Sequence, residues 1–508
     1  MNDTSRKCHP AKGPKPIQAL KKENGSKTPK TPKAPKASSH CPYSARCGIC
    51  TLGHLPYAEQ LQHKQQMIEK LLGKLCPVEP ILGMADPTHY RSKVHAVIGT
   101  DRDKRPVSGV YALGTHYVVP VRGCLIEDER ADRIIQTIVS MIPRYKLRIY
   151  NENTHRGFLR HVLVRTGHVT GQILVVLVTT AAEFPGGKAF VTELVEKHPE
   201  ITSVVLNINQ KETSMVLGTK DVVLHGTGYM EDEICGKRFR ISPQSFYQVN
   251  ARQTEVLYRT AIEYAGLTGK ETLLDAYCGT GTIGLCASDH VKQLIGVELN
   301  ANAVRDAKEN ARLNRVANAK FVCDDAGRFM VKMAREGLPL DVLIMDPPRS
   351  GSDEKFLSSV LTLKPRTVVY VSCGPESLAR DAAYLVKGGY RAVKAVPVDM
   401  FPYTEHVETV VLLSRKDVYE RIKFDVNVED LQGRASSTAT YSEIKAYILE
   451  KYGLKVSSLY IAQIKDKCGF EKRDNYNIGE GKNKELICPP EKEQAIMDAF
   501  RHFGMIRD

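Results

Sequence analysis

The sequence predicts an α/β protein in which an α+β region precedes a doubly wound parallel sheet and a small helical region follows it. Residues 90–235 hold short β-branched runs separated by Gly, Asn, Thr and charged breaks, a pattern typical of a mostly antiparallel sheet with a few helices. From about 240 to 415, strand-like runs alternate with helical patterns, which indicates a parallel sheet. After residue 430, three segments have helical periodicity. These patterns predict four regions, at residues 1–40, 41–235, 236–415 and 430–508.

The first region is a basic tail. Residues 1–40 contain ten Lys and Arg but two acidic residues, and they contribute +8 to the formal net charge of +14. Because this stretch has almost no apolar residues, it cannot bury enough surface to fold, and we expect it to be disordered. Such a tail could attract phosphates without sequence preference, or it could be a dispensable solvated leader. Residues 55–75 then predict an amphipathic helix docked on a core.

The composition indicates a cytoplasmic protein that does not cross a membrane. The longest apolar run has six residues, 173–178, against the roughly 18 that a membrane span needs. The start of the chain has neither the apolar stretch of a secretion signal nor an amphipathic presequence. Since cytoplasmic thiols stay reduced, the 13 cysteines are interpreted as metal ligands, a nucleophile and core residues.

A glycine-rich loop follows the first strand of the parallel region. The stretch ETLLDAYCGTGTIGLCAS (271–288) is a buried strand, a loop and a helix start, and its Gly279, Gly281 and Gly284 fit G-x-G-x-x-G. Glu298 closes the next strand, where a carboxylate suits ribose hydroxyls. This fingerprint alone also fits a nicotinamide-dependent dehydrogenase.

Two acidic residues favour a methyltransferase instead. Asp275 stands just before the glycine loop, and the later strand DVLIM runs directly into DPPRSG (346–351). In nucleic-acid methyltransferases, a strand-end acidic residue followed by Pro-Pro lies beside both the methionine part of S-adenosylmethionine and the target base. A nicotinamide enzyme has no need of this arrangement.

The residues after the Pro-Pro pair and in a later strand indicate which atom is methylated. Enzymes that methylate exocyclic amines usually place an aromatic residue after D/N-P-P, but Arg349 stands there. Carbon 5 of a pyrimidine is a poor nucleophile, so its methylation requires a thiolate to add first at carbon 6. The apolar strand in RTVVYVSCGPES (366–377) delivers Cys373 to its carboxyl end, where open α/β sheets have their active sites. An inert buried thiol is the alternative interpretation.

This chemistry also requires a base, because the proton on carbon 5 must leave after methyl transfer. The segment FPYTEHVETVVLLSR (401–415) supplies Glu408 at the start of a strand. Glu405 and His406 are nearby competitors for the same role.

Five ordered motifs resemble those of the RNA uracil-5-methyltransferase family, whose members make 5-methyluridine in ribosomal and transfer RNA. The motifs are DAYCGTG, DPPRSG, VSCGP, HVET and ISPQSFYQVN (241–250), and the likeness extends over roughly residues 41–415. The resemblance implies a Rossmann-like S-adenosylmethionine-dependent methyltransferase domain in which Cys373 is the nucleophile and Glu408 the general base. It also implies contacts to S-adenosylmethionine, the last of them minor, from Gln248, Tyr277, Glu298, Asp346 and Thr282.

Three cysteines stand close together in CPYSARCGIC, directly after the basic tail. Cys41, Cys47 and Cys50 could ligate zinc or an iron–sulfur cluster, and both require a fourth ligand, for which Cys76 and Cys124 are candidates. A group of ordinary buried thiols is the alternative. A branch of the resembled family binds a four-iron, four-sulfur (4Fe-4S) cluster with this spacing and a distant cysteine. The resemblance therefore implies Cys124 as the fourth ligand, in an α+β central domain, with a structural or RNA-shaping role.

The resemblance implies RNA as the partner, with 23S ribosomal RNA favoured and transfer RNA as the alternative. A catalytically inactive RNA-binding iron–sulfur protein is the rival interpretation. Neither a membrane nor a protein partner is implied. The three C-terminal helices lie outside the family pattern; the second carries Lys465 and Lys467 and could bind RNA, or the three could form an accessory bundle. The cysteines interpreted as core residues are Cys278, Cys286 and Cys323.

Overall fold

A computed structural model of the chain describes residues 41–112, 114–212, 215–416, 441–468 and 488–503. The basic tail expected at residues 1–40 lies outside the described residues, as does the predicted boundary at residue 430. None of the described helices combines the length and the apolar character that a membrane span requires.

The N-terminal segment consists of the cysteine-rich stretch and one long helix. A single turn, α1 (Ser44–Cys47), precedes α2 (Tyr57–Leu72), which confirms the helix predicted at residues 55–75. The apolar face of α2 buries Ile68 and Leu72 completely against the core of the second domain. This helix therefore fixes the N-terminal segment to the region of the second sheet, whose core residues lie at positions 274–413.

Seven strands form the first sheet: β1 (Lys93–Thr100), β2 (Pro106–Tyr111), β3 (Val118–Pro120), β4 (Leu159–Thr166), β5 (Ile173–Thr179), β6 (Ile201–Ile208) and β7 (Lys220–His225). Their order is β3-β2-β1-β4-β5-β6-β7, and the neighbours are antiparallel except for β5 and β6. This confirms the mostly antiparallel sheet. One face packs on α3 (Glu129–Met141) and α4 (Gly187–Lys197), and the other face shares a core with the second domain.

A hairpin and a helix connect the two sheets. The hairpin consists of β8 (Met230–Ile234) and β9 (Lys237–Ile241), and the helix α5 (Ala251–Ala265) follows. The side chain of Asn250 accepts a hydrogen bond from the Gln253 amide at 3.2 Å, which satisfies one of the free N–H groups at the start of α5. The ISPQSFYQVN motif (241–250) consists of the last residue of β9 and the segment that connects β9 to α5.

The second sheet is the doubly wound sheet that the sequence predicted. Its strands are β10 (Thr272–Ala276), β11 (Gln293–Glu298), β12 (Ala319–Cys323), β13 (Val342–Met345), β14 (Thr367–Ser372), β15 (Tyr390–Val398) and β16 (Glu408–Arg415). Its helices are α6 (Thr282–Ala287), α7 (Ala301–Leu313), α8 (Ala326–Glu336), α9 (Glu354–Leu363) and α10 (Pro375–Lys387).

The order β12-β11-β10-β13-β14-β16-β15 reverses at β10, and a crevice is expected at the carboxyl end of that strand. The first five strands run parallel, whereas β16 is antiparallel to both of its neighbours. The antiparallel strand starts beside the carboxyl end of β14. Residues at the start of β16 therefore reach the same edge as the ends of the parallel strands.

Three C-terminal helices pack on one another: α11 (Tyr441–Tyr452), α12 (Ser458–Lys467) and α13 (Pro490–His502). They surround an apolar core of their own that includes Ile448, Ile464 and Phe500. Lys467, one of the lysines considered for RNA binding, forms an ion pair with Glu493 at 2.8 Å. Both side chains of this pair keep exposed surface, so the accessory bundle and the RNA-binding helix both stay predictions.

Candidate active site

A cavity of about 1110 Å³ opens at the carboxyl edge of the second sheet, where the crevice is expected. Its walls come from the ends of β10, β11, β13 and β14, the start of β16 and the segment before α5. All the residues that the sequence analysis assigned to catalysis and cofactor binding line this cavity: Gln248, Tyr277, Thr282, Glu298, Asp346, Cys373 and Glu408.

The glycine loop bends sharply because some of its residues adopt left-handed backbone conformations. Gly281 has φ +79°, and a Cβ there would lie 2.8 Å from the Phe321 ring, so only glycine fits. Tyr277 has φ +64°, a conformation that costs energy for a non-glycine residue and is common at functional sites. Its ring packs against Phe356, with 5.4 Å between ring centroids, and its hydroxyl shares a hydrogen bond with Ser352 at 3.1 Å. Tyr277 therefore both packs and lines the cavity.

Thr282, the predicted minor contact, lies at the start of α6. Its hydroxyl shares a hydrogen bond with the Tyr258 hydroxyl at 2.9 Å. This bond orients Thr282 and occupies part of its hydrogen-bonding capacity.

Asp275 and Glu298 bring carboxylates to the ends of β10 and β11. Oδ2 of Asp275 accepts from the Gly284 amide at 2.8 Å, while its Oδ1 is buried without a hydrogen-bond partner. Burial raises the pKa of Asp275 to about 7. Glu298 accepts from the amides of Gly279 at 3.1 Å and Asn300 at 2.7 Å. The buried, unpartnered Oδ1 of Asp275 suits a cationic group of a ligand. The Glu298 carboxylate suits ribose hydroxyls, so together these two residues fit S-adenosylmethionine.

Asp275 is a candidate binding residue that the sequence reasoning did not assign. The signal was present, because this acidic residue lies on the strand directly before the glycine loop. That Oδ1 of Asp275 has no hydrogen-bond partner can be recognised only from the packing around it.

The pairing of β16 with β14 brings Cys373 and Glu408 to the same cavity. Strand β14 ends at Ser372, directly before Cys373, and the register places Ser372 opposite Thr409, directly after Glu408. The Glu408 side chain lines the cavity but is only 4% exposed. Cys373 is half-buried. A thiol and a carboxylate therefore share one partly desolvated site.

The loop after β13 lies against the start of α10. A Cβ on Gly374 would lie 2.6 Å from the carbonyl oxygen of Arg349, so the lack of a side chain permits this approach. The Ser377 hydroxyl donates to the same oxygen at 2.9 Å. These contacts hold Arg349 close to Cys373.

Four ionisable groups in this part of the cavity influence one another. Burial raises the pKa of the Cys373 thiol, the carboxylates of Glu408 and Asp346 raise it further, and the Arg349 guanidinium lowers it. Burial also raises the pKa of Glu408, with Asp346 adding to the effect and Arg349 opposing it. Burial raises the pKa of Asp346 as well. Arg349 therefore favours the ionised forms of both Cys373 and Glu408, which gives a role to a residue whose role the sequence left open.

The two competitors for the role of base lie in different surroundings. Glu405 is exposed and is not part of the cavity wall, whereas His406 lines the cavity. The imidazole of His406 lies 3.5 Å from Nη2 of Arg349, and burial followed by the nearby cations lowers its pKa. Among the three, Glu408 is the one that is buried beside Cys373.

A second cavity, of about 180 Å³, is lined by Cys41, Cys47, Cys50 and Cys124. Cys76, the other candidate fourth ligand, is buried in the core of the second domain. In the described part of the chain, no group of three or more His, Cys, Asp or Glu side chains is arranged to hold a metal ion. A four-iron cluster takes one thiolate at each iron, so its ligands surround a volume and do not converge on a point as zinc ligands do. The four cysteines therefore share a cavity, and the iron–sulfur cluster stays a prediction of the sequence.

The interpretation of the remaining cysteines as core residues is partly wrong. Cys278 and Cys286 are buried, as predicted, but Cys323 is exposed. It is the last residue of β12, which is the edge strand of the sheet, so no neighbouring strand covers it.

The doubly wound sheet, the glycine loop and the carboxylate-lined cavity define a Rossmann-like S-adenosylmethionine-dependent methyltransferase. A family model described as tRNA (Uracil-5-)-methyltransferase matches residues 217–416. An "Uncharacterized RNA methyltransferase" of Bacillus cereus is 44% identical over 382 residues, 74% of this chain and 83% of that protein. A relative of the same description from Halalkalibacterium halodurans is 42% identical over 382 residues, with the same coverage, 74% and 83%.

Among solved structures, the crystal structure of Pyrococcus abyssi tRNA (uracil-54, C5)-methyltransferase in complex with S-adenosyl-L-homocysteine is similar with a TM-score of 0.60. It is 27% identical and covers 72% of this chain and 86% of that chain. The chain belongs to the RNA uracil-5-methyltransferase family. It is an S-adenosylmethionine-dependent RNA methyltransferase.

Removal of the Arg349 charge should shift the pH dependence of methyl transfer. Arg349 lowers the pKa of both Cys373 and Glu408, so its loss raises both pKa values. A reaction that needs both groups ionised then requires a higher pH. In Arg349→Gln, the acid limb of the single-turnover rate plotted against pH should move to higher pH.

Arg305→Gln is the matched control for this measurement. Arg305 also lines the cavity, but it lies on α7 and its guanidinium is 3.8 Å from the Asp306 carboxylate. Its loss should leave the acid limb in place. An unchanged limb in Arg349→Gln, or an equal shift in the control, would contradict this electrostatic account.

Proposed function

We propose that this enzyme methylates carbon 5 of a specific uridine in 23S ribosomal RNA, in the cytoplasm, through covalent addition of Cys373 at carbon 6. The observation that supports this chemistry is that Cys373 and Glu408 line one cavity together with the glycine loop and Asp346. A thiolate alone could activate carbon 5, but the reaction ends only if a base removes its proton. The cavity offers both groups.

The reaction begins when the target uridine leaves its RNA loop and enters the cavity, at a cost of roughly a few kcal/mol that is smallest for an unpaired base. The Cys373 thiolate, favoured by Arg349, donates its electron pair to carbon 6, and carbon 5 becomes an enolate-like nucleophile. S-adenosylmethionine, which Tyr277, Glu298 and Asp346 would hold in this cavity, would supply the methyl group to carbon 5 and would leave as S-adenosylhomocysteine. The Glu408 carboxylate then takes the proton from carbon 5, and the electron pair left there expels the Cys373 thiolate from carbon 6.

Variants of Cys373 and Glu408 should stop the reaction at different points. Cys373→Ala should lose methyl transfer by several orders of magnitude and form no covalent complex with 5-fluorouridine RNA, because nothing adds to carbon 6. Glu408→Gln should instead accumulate a methylated covalent complex with ordinary RNA, because the proton on carbon 5 cannot leave. Denaturing gels of enzyme and labelled RNA measure both.

The control is Cys323→Ala, which removes an exposed thiol at the end of β12. It should methylate RNA and form the 5-fluorouridine complex as the unmodified enzyme does. Methyl transfer by Cys373→Ala would refute the mechanism, and free release of product by Glu408→Gln would refute this base.

We also propose that Cys41, Cys47, Cys50 and Cys124 hold a 4Fe-4S cluster. The support is their common cavity of about 180 Å³ together with the spacing of the first three. The proposed methyl transfer is not a redox reaction, so the cluster would link two distant parts of the chain through four thiolate bonds. Its role would be structural.

Anaerobically purified enzyme should contain about four iron atoms per chain. Cys124→Ser should lose most of this iron, because one of four ligands is gone. Cys76→Ser is the matched control, since Cys76 is a buried thiol outside the cavity, and it should retain the iron. Iron analysis and the visible absorption spectrum measure the result. An iron-free unmodified protein, or equal loss from both variants, would refute the cluster.

The choice of 23S ribosomal RNA rests on the four-cysteine set, which resembles that of ribosomal RNA enzymes in the family. The matching family model and the Pyrococcus protein both carry tRNA in their descriptions. Transfer RNA is therefore the competing substrate, and RNA from cells decides between them.

Loss of the gene should remove 5-methyluridine from one position of 23S ribosomal RNA and leave transfer RNA unchanged. Mass spectrometry of nuclease fragments from both RNA classes, with and without the gene, measures this. Re-expression of the Cys373→Ala variant is the control and should not restore 5-methyluridine. Loss of 5-methyluridine from transfer RNA alone would overturn the choice of 23S ribosomal RNA as the substrate, but not the proposed methylation of carbon 5.

A further inference from the structure

We propose that Lys64 and Asp399 are positioning residues that fix the loop at residues 399–407, and thereby the placement of Glu408 relative to Cys373. This inference rests on the proposed function, in which Glu408 is the base. It concerns a part of the chain that the sequence motifs leave without a role. The 399–407 loop connects β15 to β16 and supplies Phe401 and His406 to the wall of the large cavity.

The pair itself is completely buried. Lys64 on α2 donates to Oδ1 of Asp399 at 2.6 Å, and neither side chain has any exposed surface. The same ammonium donates to the carbonyl oxygen of Phe401 at 3.1 Å. Asp399 is the first residue of the loop, directly after β15. One cation from the N-terminal segment therefore binds both the start of the loop and its backbone two residues later.

Neighbouring residues of the N-terminal segment bind the rest of the loop. The Tyr57 hydroxyl donates to Oδ2 of Asp399 at 2.9 Å. The Gln60 side chain accepts from the Tyr403 amide at 2.8 Å, and the Leu52 amide donates to the Tyr403 carbonyl at 2.9 Å. These bonds satisfy backbone groups of the loop that lack partners within a helix or sheet. Residues more than 300 positions earlier in the chain therefore hold much of the loop, together with Asn250, whose side chain donates to the Met400 carbonyl oxygen at 3.0 Å.

The last bond in this series reaches the residues beside the proposed base. The Glu405 amide donates to the Thr51 hydroxyl at 3.2 Å, three residues before Glu408. Thr51 directly follows Cys50, one of the four cysteines that line the small cavity. The cysteine-rich stretch and α2 thus hold the loop at both ends, and a shift of the loop would move Glu408 and His406.

The energetics of buried ion pairs favour a positioning role over a purely stabilising one. Removing two charges from water costs about as much as their attraction returns, so well-packed apolar residues often stabilise a fold equally well. What apolar residues cannot supply is the directed bond from Lys64 to the Phe401 carbonyl, or from Tyr57 to Asp399. A small misplacement of a reacting group can lower a rate by roughly a hundredfold.

Because apolar residues can replace the stability of the pair but not its directed bonds, two variants can distinguish an effect on stability from an effect on positioning. Lys64→Met leaves the Asp399 carboxylate without its cation, and it should lower both thermal stability and the rate at which the methylated covalent complex with ordinary RNA releases its product, the step that needs Glu408. The double variant Lys64→Met/Asp399→Leu buries no charge and should recover much of the stability. Its rate should stay roughly tenfold to a hundredfold below that of the unmodified enzyme, because the directed bonds are absent.

Two further measurements locate the effect. Affinity for S-adenosylmethionine, measured by calorimetry, should be unchanged in both variants, because the glycine loop lies outside the 399–407 loop. Hydrogen exchange of peptides that cover residues 399–407 should be faster in both. If Lys64→Met does not fold, the rate, the affinity and the hydrogen exchange are measured on the double variant alone.

Lys394→Met is the matched control. Lys394 on β15 forms an ion pair with Glu79 at 3.1 Å, so it also connects the N-terminal segment to β15, but it does not contact the loop. This control should leave the rate and the exchange of residues 399–407 unchanged.

A double variant that recovers the rate together with the stability would overturn the inference, and so would loop exchange no faster than in the control. If the unmodified enzyme forms no covalent complex with 5-fluorouridine RNA, the proposed function fails instead. Hydrogen exchange then still decides whether Lys64 orders the loop.

Discussion

The register between β14 and β16 is the constraint on which the candidate active site depends. Side chains alternate between the two faces of a strand, so a slip of one residue would turn Glu408 to the opposite face and away from the cavity. The pairing of Ser372 with Thr409 prevents this, and it is reinforced by buried valines on both strands, such as Val371 and Val410. Because β16 runs antiparallel to β14, its first residue lies beside the last residues of β14. A wholly parallel sheet would leave these two groups at opposite edges.

The electrostatics of the cavity complement a cationic methyl donor. Asp275, Asp346 and Glu408 all have pKa values raised chiefly by burial, which means that their ionised forms are costly in the absence of a counter-charge. The sulfonium and ammonium groups of S-adenosylmethionine would supply such a charge. Binding of the methyl donor should therefore favour ionisation of the carboxylates, while Arg349 does the same locally for Cys373 and Glu408. The ionised carboxylates of the cavity are therefore more stable when the methyl donor is bound than when it is absent.

Local patterns allowed much of this structure to be predicted from sequence. The glycine loop, the strand-end Glu298 and the strand that delivers Cys373 each depend on a short stretch of chain, and the structure brings them to one cavity. The direction of β16 could not be predicted, because an apolar run is the same in a parallel and an antiparallel strand. Nor could the Lys64–Asp399 pair, whose partners are separated by 335 positions. The exposure of Cys323 depends on β12 being an edge strand, which is a property of the whole sheet.

The N-terminal segment connects the two cavities. Its cysteines line the small one, while Thr51, Gln60 and Lys64 hold the loop that leads to Glu408 in the large one. A structural cluster in the small cavity would therefore affect catalysis through the position of this loop, without any transfer of electrons. This arrangement explains how a metal site could matter to a reaction that has no redox step.

In the proposed mechanism, Cys373 forms the covalent bond to the uracil ring. The most direct measurement is mass spectrometry of the trapped 5-fluorouridine complex after digestion with protease and nuclease. The nucleotide mass should be attached to the peptide that contains Cys373. Attachment to a peptide with another cysteine, such as Cys278, which also lines the cavity, would contradict this mechanism.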